Sequence, residues 1–154
     1  RQTMVYWSHR DGADERTPAT AIDGPKCILI NQYAGSGGDA FPYYFRLLGI
    51  GPLIGKRTWG GLVHTADTPA FIDGGSMIAP RGGFFSREGK WAVENEGVAP
   101  DIDVENWPKE VISGRDPQLE RAVAEAMRML KEHPVNRLMK EPPPPMWGKR
   151  PGQP

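Results

Sequence analysis

The chain has 154 residues, enough for one domain with a core and too few for two. Its 19 basic residues balance 19 acidic ones, and this zero net charge argues against a nucleic-acid-binding module or a polybasic membrane binder. We find no signal-peptide pattern and no apolar run near the roughly 20 residues that span a bilayer. The single cysteine, Cys27, excludes an internal disulfide framework and a cysteine-based zinc site.

The N-terminal part combines a β-prone stretch with a polar loop. Residues 1–6 favour a strand, whereas residues 8–25 are polar and interrupted by glycine and proline, which is typical of a loop. We therefore treat residues 1–25 as a loop-rich N-terminal segment. Because the first residue is Arg1 rather than Met, we expect the chain to be a fragment of a longer protein.

The next segment predicts a strand, a glycine-rich loop and a helix. Residues 26–31 form a continuous apolar run, which favours a strand buried on both faces, as in a parallel sheet. After the glycine-rich residues 33–39, Asp39 is predicted to be the N-cap of a helix that ends at Gly49. Pro42 then falls in the first turn, where its missing N–H costs nothing. The apolar positions at helical spacing are Phe41, Phe45 and Leu48.

Short strands and turns follow. Residues 52–56 favour a strand, residues 70–79 a hairpin with a primed turn at Asp73 and Gly74, and residues 84–95 a second hairpin. Strand, glycine-rich loop, helix and strand in this order form a βαβ signature. The predicted fold class is therefore α/β.

The clearest helix begins near residue 116. Asp116 is predicted to cap it, Pro117 fits the first helical position, and Pro134 ends it. We expect its apolar stripe to pack on the domain, so that Val123→Asp would cost about 3 kcal/mol. The stripe consists of Leu119, Ala122, Val123, Ala126 and Leu130. Residues 134–154 are predicted to be a proline-rich tail, in which residues 141–154 are extended or disordered and outside the core.

The glycine-rich loop around Ser36 has the composition of a chemical site. A serine between a strand and a helix can be exposed at a sharp turn, and adjacent glycines let a substrate carbonyl approach the backbone. The amides of Gly37 and Gly38 are predicted to be free donors near the positive end of the helix, suited to a developing oxyanion. A structural turn and a phosphate-binding loop are the alternatives. The loop lacks the lysine of a P-loop and the full dinucleotide fingerprint, so nucleotide binding is the weakest of them.

Four segments resemble, in the same order, motifs of the tricorn-like serine proteases, a branch of the C-terminal-processing peptidases. The resemblance covers roughly residues 24–130. The matching segments are 31–39 (NQYAGSGGD), 48–61 (LGIGPLIGKRTWGG), 93–101 (VENEGVAPD) and 116–119 (DPQL).

This resemblance implies a serine peptidase acting on peptides, without metal or other cofactor. It makes Ser36 the nucleophile, the Gly37 amide one half of the oxyanion hole, and Glu94 the acidic residue that orients a catalytic histidine. The implied fold is a crotonase-like or ClpP-like α/β spiral of βαβ units. Residues 26–133 would be the C-terminal part of its catalytic domain. It further implies a parent that forms a homo-oligomer, hexameric in the tricorn branch, and we expect a cytoplasmic location.

The resemblance also bears on the general base. In the Ser–Lys branch the lysine follows the glycine of a Gly-x-x-Thr-x-Gly stretch, here residues 55–60, and Gly61 stands at that position. A Ser–Lys dyad built there is excluded, which favours the histidine-using tricorn branch. There the histidine lies far upstream, and nothing in residues 1–35 matches that region. We therefore expect a missing upstream segment to supply the base and the glycine that completes the oxyanion hole, and the chain alone to be inactive.

The three histidines of the chain are weaker candidates for the base. His9 follows Ser8 but lacks the surrounding pattern of the family. His64 lies three positions after Gly61, and on a continuous strand an odd offset points to the opposite face. His133 ends a helix, where a cation suits the helix dipole.

Several residues keep a structural interpretation beside the functional one. Glu94 could cap loop amides. Asp11, Asp14 and Glu15 could select a basic side chain, although a solvated charge cluster is the simpler interpretation. One aromatic set is expected to serve packing rather than ligand binding: Trp59, Phe71, Phe84, Phe85 and Trp91. For the whole domain, the alternative is a non-catalytic module that binds peptides or small ligands on the same fold.

Overall fold

The computed structural model describes residues 3–9, 13–65 and 68–135, and the predicted proline-rich tail lies outside these ranges from residue 136 onward. The chain divides into two units, residues 1–24 with 133–154 and residues 25–132. The elements in chain order are β1 (Val5–Trp7), β2 (Glu15–Thr17), β3 (Ile28–Ile30), α1 (Gly37–Leu47), β4 (Leu53–Gly55), β5 (Val63–His64), β6 (Gly82–Gly83), β7 (Ile102–Asp103), α2 (Pro108–Ile112) and α3 (Pro117–Glu132).

The first unit contains a two-stranded antiparallel ribbon. β1 pairs with β2, with Tyr6 opposite Arg16. The Trp7 indole N–H donates to the Thr17 hydroxyl over 3.1 Å. β2 lies in residues that the sequence predicted to be loop, because Glu15–Thr17 is polar and becomes a strand only through its pairing with β1.

The second unit is built on a three-stranded parallel sheet with the order β3-β4-β7. It confirms the predicted α/β class and the strands predicted over residues 26–31 and 52–56. Leu29 is exposed, so β3 is not buried on both faces as predicted. The core cluster consists of Ile30, Phe45, Leu53, Val93 and Val98.

Helix α1 begins at Gly37, two residues before the predicted cap, and its N-cap position is Ser36. The predicted start at Asp39 is wrong because the Asp39 side chain is turned into the protein and caps nothing. Pro42 consequently lies inside the helix, where it is fully buried. The predicted stop is confirmed, since Gly49 has a φ of 60° and its amide donates to the Arg46 carbonyl over 2.9 Å.

Of the two predicted hairpins, one is a turn without strands. The Gly74 amide donates to the Phe71 carbonyl over 2.9 Å, but residues 70–79 contain no strand. The prediction failed because a type I′ turn needs positive φ at both central residues, and Gly74 has it whereas Asp73 does not. The second hairpin is confirmed in short form, with an antiparallel bridge between Phe85 and Trp91.

Helix α3 has the predicted cap but buries a different face. The Asp116 carboxylate accepts from the Leu119 amide over 3.0 Å, as predicted. The predicted stripe is wrong at Leu119 and Val123, which are 50% and 54% exposed, whereas its member Ala122 is buried together with Gln118 and Glu125. Gln118 directs this orientation, since its side-chain amide donates to the Val104 carbonyl over 2.9 Å. Within the described residues, no helix is both long and apolar enough to cross a membrane.

Candidate active site

Ser36 lies at the sharp turn between β3 and α1. Its φ of 54° and ψ of −110° are unusual for a residue other than glycine. The turn is held from both sides, because the Ser36 amide donates to the Gly61 carbonyl over 2.9 Å and the Ser36 carbonyl accepts from the Asp39 amide over 3.0 Å. The residue is exposed and its side chain makes no capping bond. The hydroxyl is therefore presented to solvent at a strained turn.

A free backbone donor lies directly beside this serine. Gly37 is the first residue of α1, and in the described part of the chain its amide has no hydrogen-bond partner. The Gly38 amide donates to the Gly35 carbonyl over 2.8 Å, so the prediction that Gly38 is also a free donor is wrong. The turn thus offers one N–H, at the positive end of a helix, to an anionic oxygen.

Asp39 ties the start of α1 to a glycine pair further along the chain. Its carboxylate is fully buried and accepts from the Gly60 amide over 2.8 Å and from the Gly61 amide over 3.1 Å. Because the Gly61 carbonyl receives the Ser36 amide, the same segment fixes the turn that bears the serine. This role could not be predicted from the sequence, since partners 21 and 22 residues away leave no local pattern.

Glu94 is held by a strained turn of its own. The Glu94 amide donates to the Ala92 carbonyl over 2.9 Å across Val93, whose φ is 74°. This is a γ-turn with positive φ, the rare and strained form. Val93 is a β-branched residue and only 4% exposed, so core packing holds it there. The half-buried Glu94 carboxylate accepts from the Leu62 amide over 2.5 Å.

The two predicted site residues therefore converge on one segment, residues 60–62. Ser36 binds it through its amide and Glu94 through its carboxylate. The Asn95 amide adds a third link, since it donates to the Gly60 carbonyl over 2.7 Å. Residues far apart in the sequence are thus bonded to three consecutive residues, Asn95 to Gly60, Ser36 to Gly61 and Glu94 to Leu62.

Trp59 is a neighbour of this site that the sequence did not single out as functional. A Cβ placed on Gly35 would lie 2.5 Å from the Trp59 ring, and one placed on Gly61 would lie 2.8 Å from it. The indole thus lies against both glycines. A lysine at position 61 would collide with this ring, in keeping with the absence of the Ser–Lys arrangement.

The structure also shows the surroundings of two candidate histidines. His64 is exposed on β5, where its side chain lies beside Gly82. In the other unit, the His9 imidazole lies 3.4 Å from the Glu15 carboxylate, and Asp11 is outside the described residues.

Burial raises the pKa of the Cys27 thiol, and the nearby Glu125 carboxylate raises it further, so this thiol stays protonated at neutral pH. Over the described residues, no group of three or more His, Cys, Asp or Glu side chains is arranged to hold a metal ion.

Comparisons with known proteins match this arrangement to one family. The model of peptidase family S41 matches residues 1–104. The chain is 40% identical over 118 residues to the tricorn protease of Thermoplasma acidophilum, a match that covers 77% of this chain and 11% of that protein. It is 39% identical to tricorn protease homolog 1 of Streptomyces coelicolor, with 77% and 11% covered.

A solved structure gives the same result for the fold. The crystal structure of the tricorn protease aligns with a TM-score of 0.77 and 37% identity, covering 85% of this chain and 13% of that one. The chain thus spans about a tenth of the length of the relatives it matches, as part of a catalytic domain of mixed α/β fold. It belongs to peptidase family S41 and is tricorn-like within that family.

Proposed function

We propose that this chain carries the nucleophile of a serine peptidase, with Ser36 as the attacking residue and peptides as substrates. The observation that supports this most is the backbone of Ser36. A non-glycine residue at positive φ on a strand-to-helix turn costs about 1–3 kcal/mol, and such strain persists chiefly at functional sites. The exposed hydroxyl and the free Gly37 amide beside it suit nucleophilic attack on a carbonyl.

The proposed reaction proceeds through an acyl-enzyme. The Ser36 Oγ forms a bond to the substrate carbonyl carbon while its proton passes to a histidine base, and the Gly37 N–H donates to the resulting oxyanion. The C–N bond then breaks, and the amine leaves with the proton from the histidine. A water molecule, deprotonated by the same histidine, hydrolyses the ester and restores the Ser36 hydroxyl.

Glu94 is the proposed orienting residue for that histidine. One carboxylate oxygen accepts from the Leu62 amide, and within the described residues the other has no hydrogen-bond partner. That second oxygen is available to an imidazole N–H. We propose that the histidine belongs to a segment outside this chain, because His64 makes no hydrogen bond with Ser36 or Glu94 in the described structure.

The central experiment is labelling of Ser36 by a fluorophosphonate, together with hydrolysis of fluorogenic peptides. The 154-residue chain alone is expected to do neither, because a serine hydroxyl needs an adjacent base at neutral pH. Adding the histidine-bearing segment of a tricorn-like protease as a separate polypeptide is expected to restore both, but not with Ser36→Ala. Hydrolysis by the chain alone that is lost with Ser36→Ala and with His64→Ala would make His64 the base. Absence of both labelling and hydrolysis in the mixture would favour a non-catalytic binding module.

The role of Glu94 is tested by Glu94→Gln in the same mixture. Glutamine keeps an oxygen for the Leu62 amide but loses the charge that stabilises an imidazolium. We expect kcat to fall by about a hundredfold or more with little change in the Tm of the chain. The matched control is Glu96→Gln, which removes an exposed charge two residues away. Equal losses in the two variants would contradict the orienting role.

A further inference from the structure

The Trp59 indole occupies an unusual position beside the candidate nucleophile. The side chain is 71% exposed, yet its ring lies against the backbone of Gly35 and Gly61. These glycines flank Ser36 directly, since Gly35 precedes it and the Gly61 carbonyl accepts its amide. The Trp59 amide also donates to the Ala34 carbonyl over 2.9 Å. The ring is therefore fixed next to the serine, with most of its surface facing solvent.

Core packing does not account for this position. The expectation that Trp59 joins an aromatic packing cluster is wrong, because the aromatic contacts of the described chain pair other rings, such as Phe85 with Trp91 at 6.0 Å. The position also restricts the sequence, since a side chain at Gly35 or Gly61 would overlap the indole. The indole thus exposes a large aromatic surface and is held in place by two positions that only glycine can fill. Such a surface is typical of a binding site.

The surrounding groups indicate what this surface can bind. The backbone of residues 60–61 is engaged internally: both amides donate to Asp39, the Gly60 carbonyl accepts from Asn95 and the Gly61 carbonyl from Ser36. The two carboxylates bonded to residues 60–62, those of Asp39 and Glu94, accept from backbone amides of that segment. What the segment presents to a ligand is consequently an aromatic face.

We infer that the Trp59 indole is the wall of a subsite beside Ser36 that selects peptides with an apolar side chain close to the scissile bond. The inference rests on the proposed function and deepens it by naming a substrate class. An apolar side chain that packs on the ring removes apolar surface of both partners from water. Trp59 is thus a specificity-determining residue that makes no contact with the transferred proton.

The first test compares matched peptides in the active mixture of this chain with the histidine-bearing segment. The peptides differ only in having leucine or glycine on either side of the cleaved bond. Trp59→Ala is expected to lower kcat/KM for the leucine peptide by about tenfold, mainly through KM, and to leave the glycine peptide nearly unchanged. Trp59→Phe should retain most of the preference. The control is Trp107→Ala, which removes an exposed tryptophan at the start of α2.

Equal losses for both peptides in Trp59→Ala, while Ser36→Ala still abolishes hydrolysis, would overturn the inference and leave the proposed function standing. A preference for lysine or arginine over leucine that disappears in Trp59→Ala would overturn the apolar class, since it would indicate cation–π binding.

A second measurement does not depend on catalysis. The indole N–H resonance of Trp59 in the 154-residue chain, identified by its loss in Trp59→Phe, is expected to shift on addition of the leucine peptide and not of the glycine peptide. If Ser36→Ala leaves hydrolysis intact, the proposed function fails, and this shift alone decides whether the indole binds apolar peptides. No shift with either peptide would then overturn the inference.

Discussion

Backbone strain at two single residues links the sequence to the proposed chemistry. Ser36 and Val93 both have positive φ, and Val93 immediately precedes Glu94. Neither is a residue type that adopts this conformation readily. Each is held by its surroundings, Ser36 by its bond to Gly61 and by the start of α1, Val93 by burial in the core. Strain therefore occurs at or beside both side chains that are proposed to carry the chemistry, Ser36 and Glu94.

The strain at Ser36 predicts that glycine at this position makes the protein more stable, although glycine lacks the proposed nucleophile. Ser36→Gly is expected to be more stable to unfolding than Ser36→Ala by about 1 kcal/mol, because glycine adopts positive φ without steric cost. Both variants lack the hydroxyl, so the difference isolates the backbone. Denaturant unfolding of the 154-residue chain measures it. Ser113, where φ is −79°, is the control position. There the alanine variant should be more stable to unfolding than the glycine variant. Equal stability of the two Ser36 variants would argue against strain at the turn.

At the scale of elements, Asp39 connects α1 to the segment beneath the site. Asp39→Ala would leave the amides of Gly60 and Gly61 without an acceptor, and Gly60 is buried. We expect a loss of about 2–6 kcal/mol in the free energy of unfolding, from roughly 1–3 kcal/mol for each of the two unsatisfied groups. Asp73→Ala is the matched control, because Asp73 accepts from the Gly75 amide in an exposed turn and should cost under about 0.5 kcal/mol. Similar losses in both variants would contradict the anchoring role of Asp39.

Helix α3 yields a prediction that distinguishes its two faces. Val123→Asp is expected to cost less than about 1 kcal/mol in this chain, because the side chain is largely in solvent. Ala122→Asp should cost about 3 kcal/mol or more, because Ala122 is 5% exposed and the new carboxylate would be buried without a partner. Thermal unfolding of the two variants checks this directly. A larger drop in Tm for Val123→Asp would restore the face that the sequence stripe predicted.

Elements set by local interactions could be predicted from the sequence, and those set by distant contacts could not. The Asp116 cap and the Gly49 stop depend on neighbours within one helical turn, and both are confirmed. The start of α1 depends on the distant Gly60 and Gly61, which take the Asp39 carboxylate away from the helix end. Likewise α3 is oriented by the bond of Gln118 to Val104, which hydrophobic periodicity cannot register.

The same distinction holds for the candidate site. Ser36, Gly37 and Glu94 were accessible from the sequence because the family motifs contain them, and their roles stay proposals. A functional role of Trp59 was not predicted, because an aromatic residue in the sequence is expected to pack in the core until its exposure is known.

At the scale of the whole molecule, net charge and exposed apolar surface together influence self-association. The net charge is zero at pH 7 and the isoelectric point is about 7.0. Exposed apolar side chains lie on the outer faces of both long helices of the described chain. They include Phe41, Tyr44 and Leu48 at α1 and Leu119, Val123 and Met127 on α3. A protein without net charge has no long-range repulsion to keep such faces apart.

We therefore expect the isolated chain to self-associate most strongly near pH 7. At pH 5, below the isoelectric point, the net charge is positive and association should weaken, and at pH 9, above it, a negative net charge should weaken it likewise. Sedimentation velocity at the three pH values measures the effect. The double variant Val123→Glu with Met127→Lys keeps the net charge at zero, forms a favourable i,i+4 pair and removes apolar surface from α3. It should reduce association at pH 7 without lowering the Tm, because both positions are exposed. Sedimentation that is unchanged by pH and by the double variant would show that these faces do not attract one another.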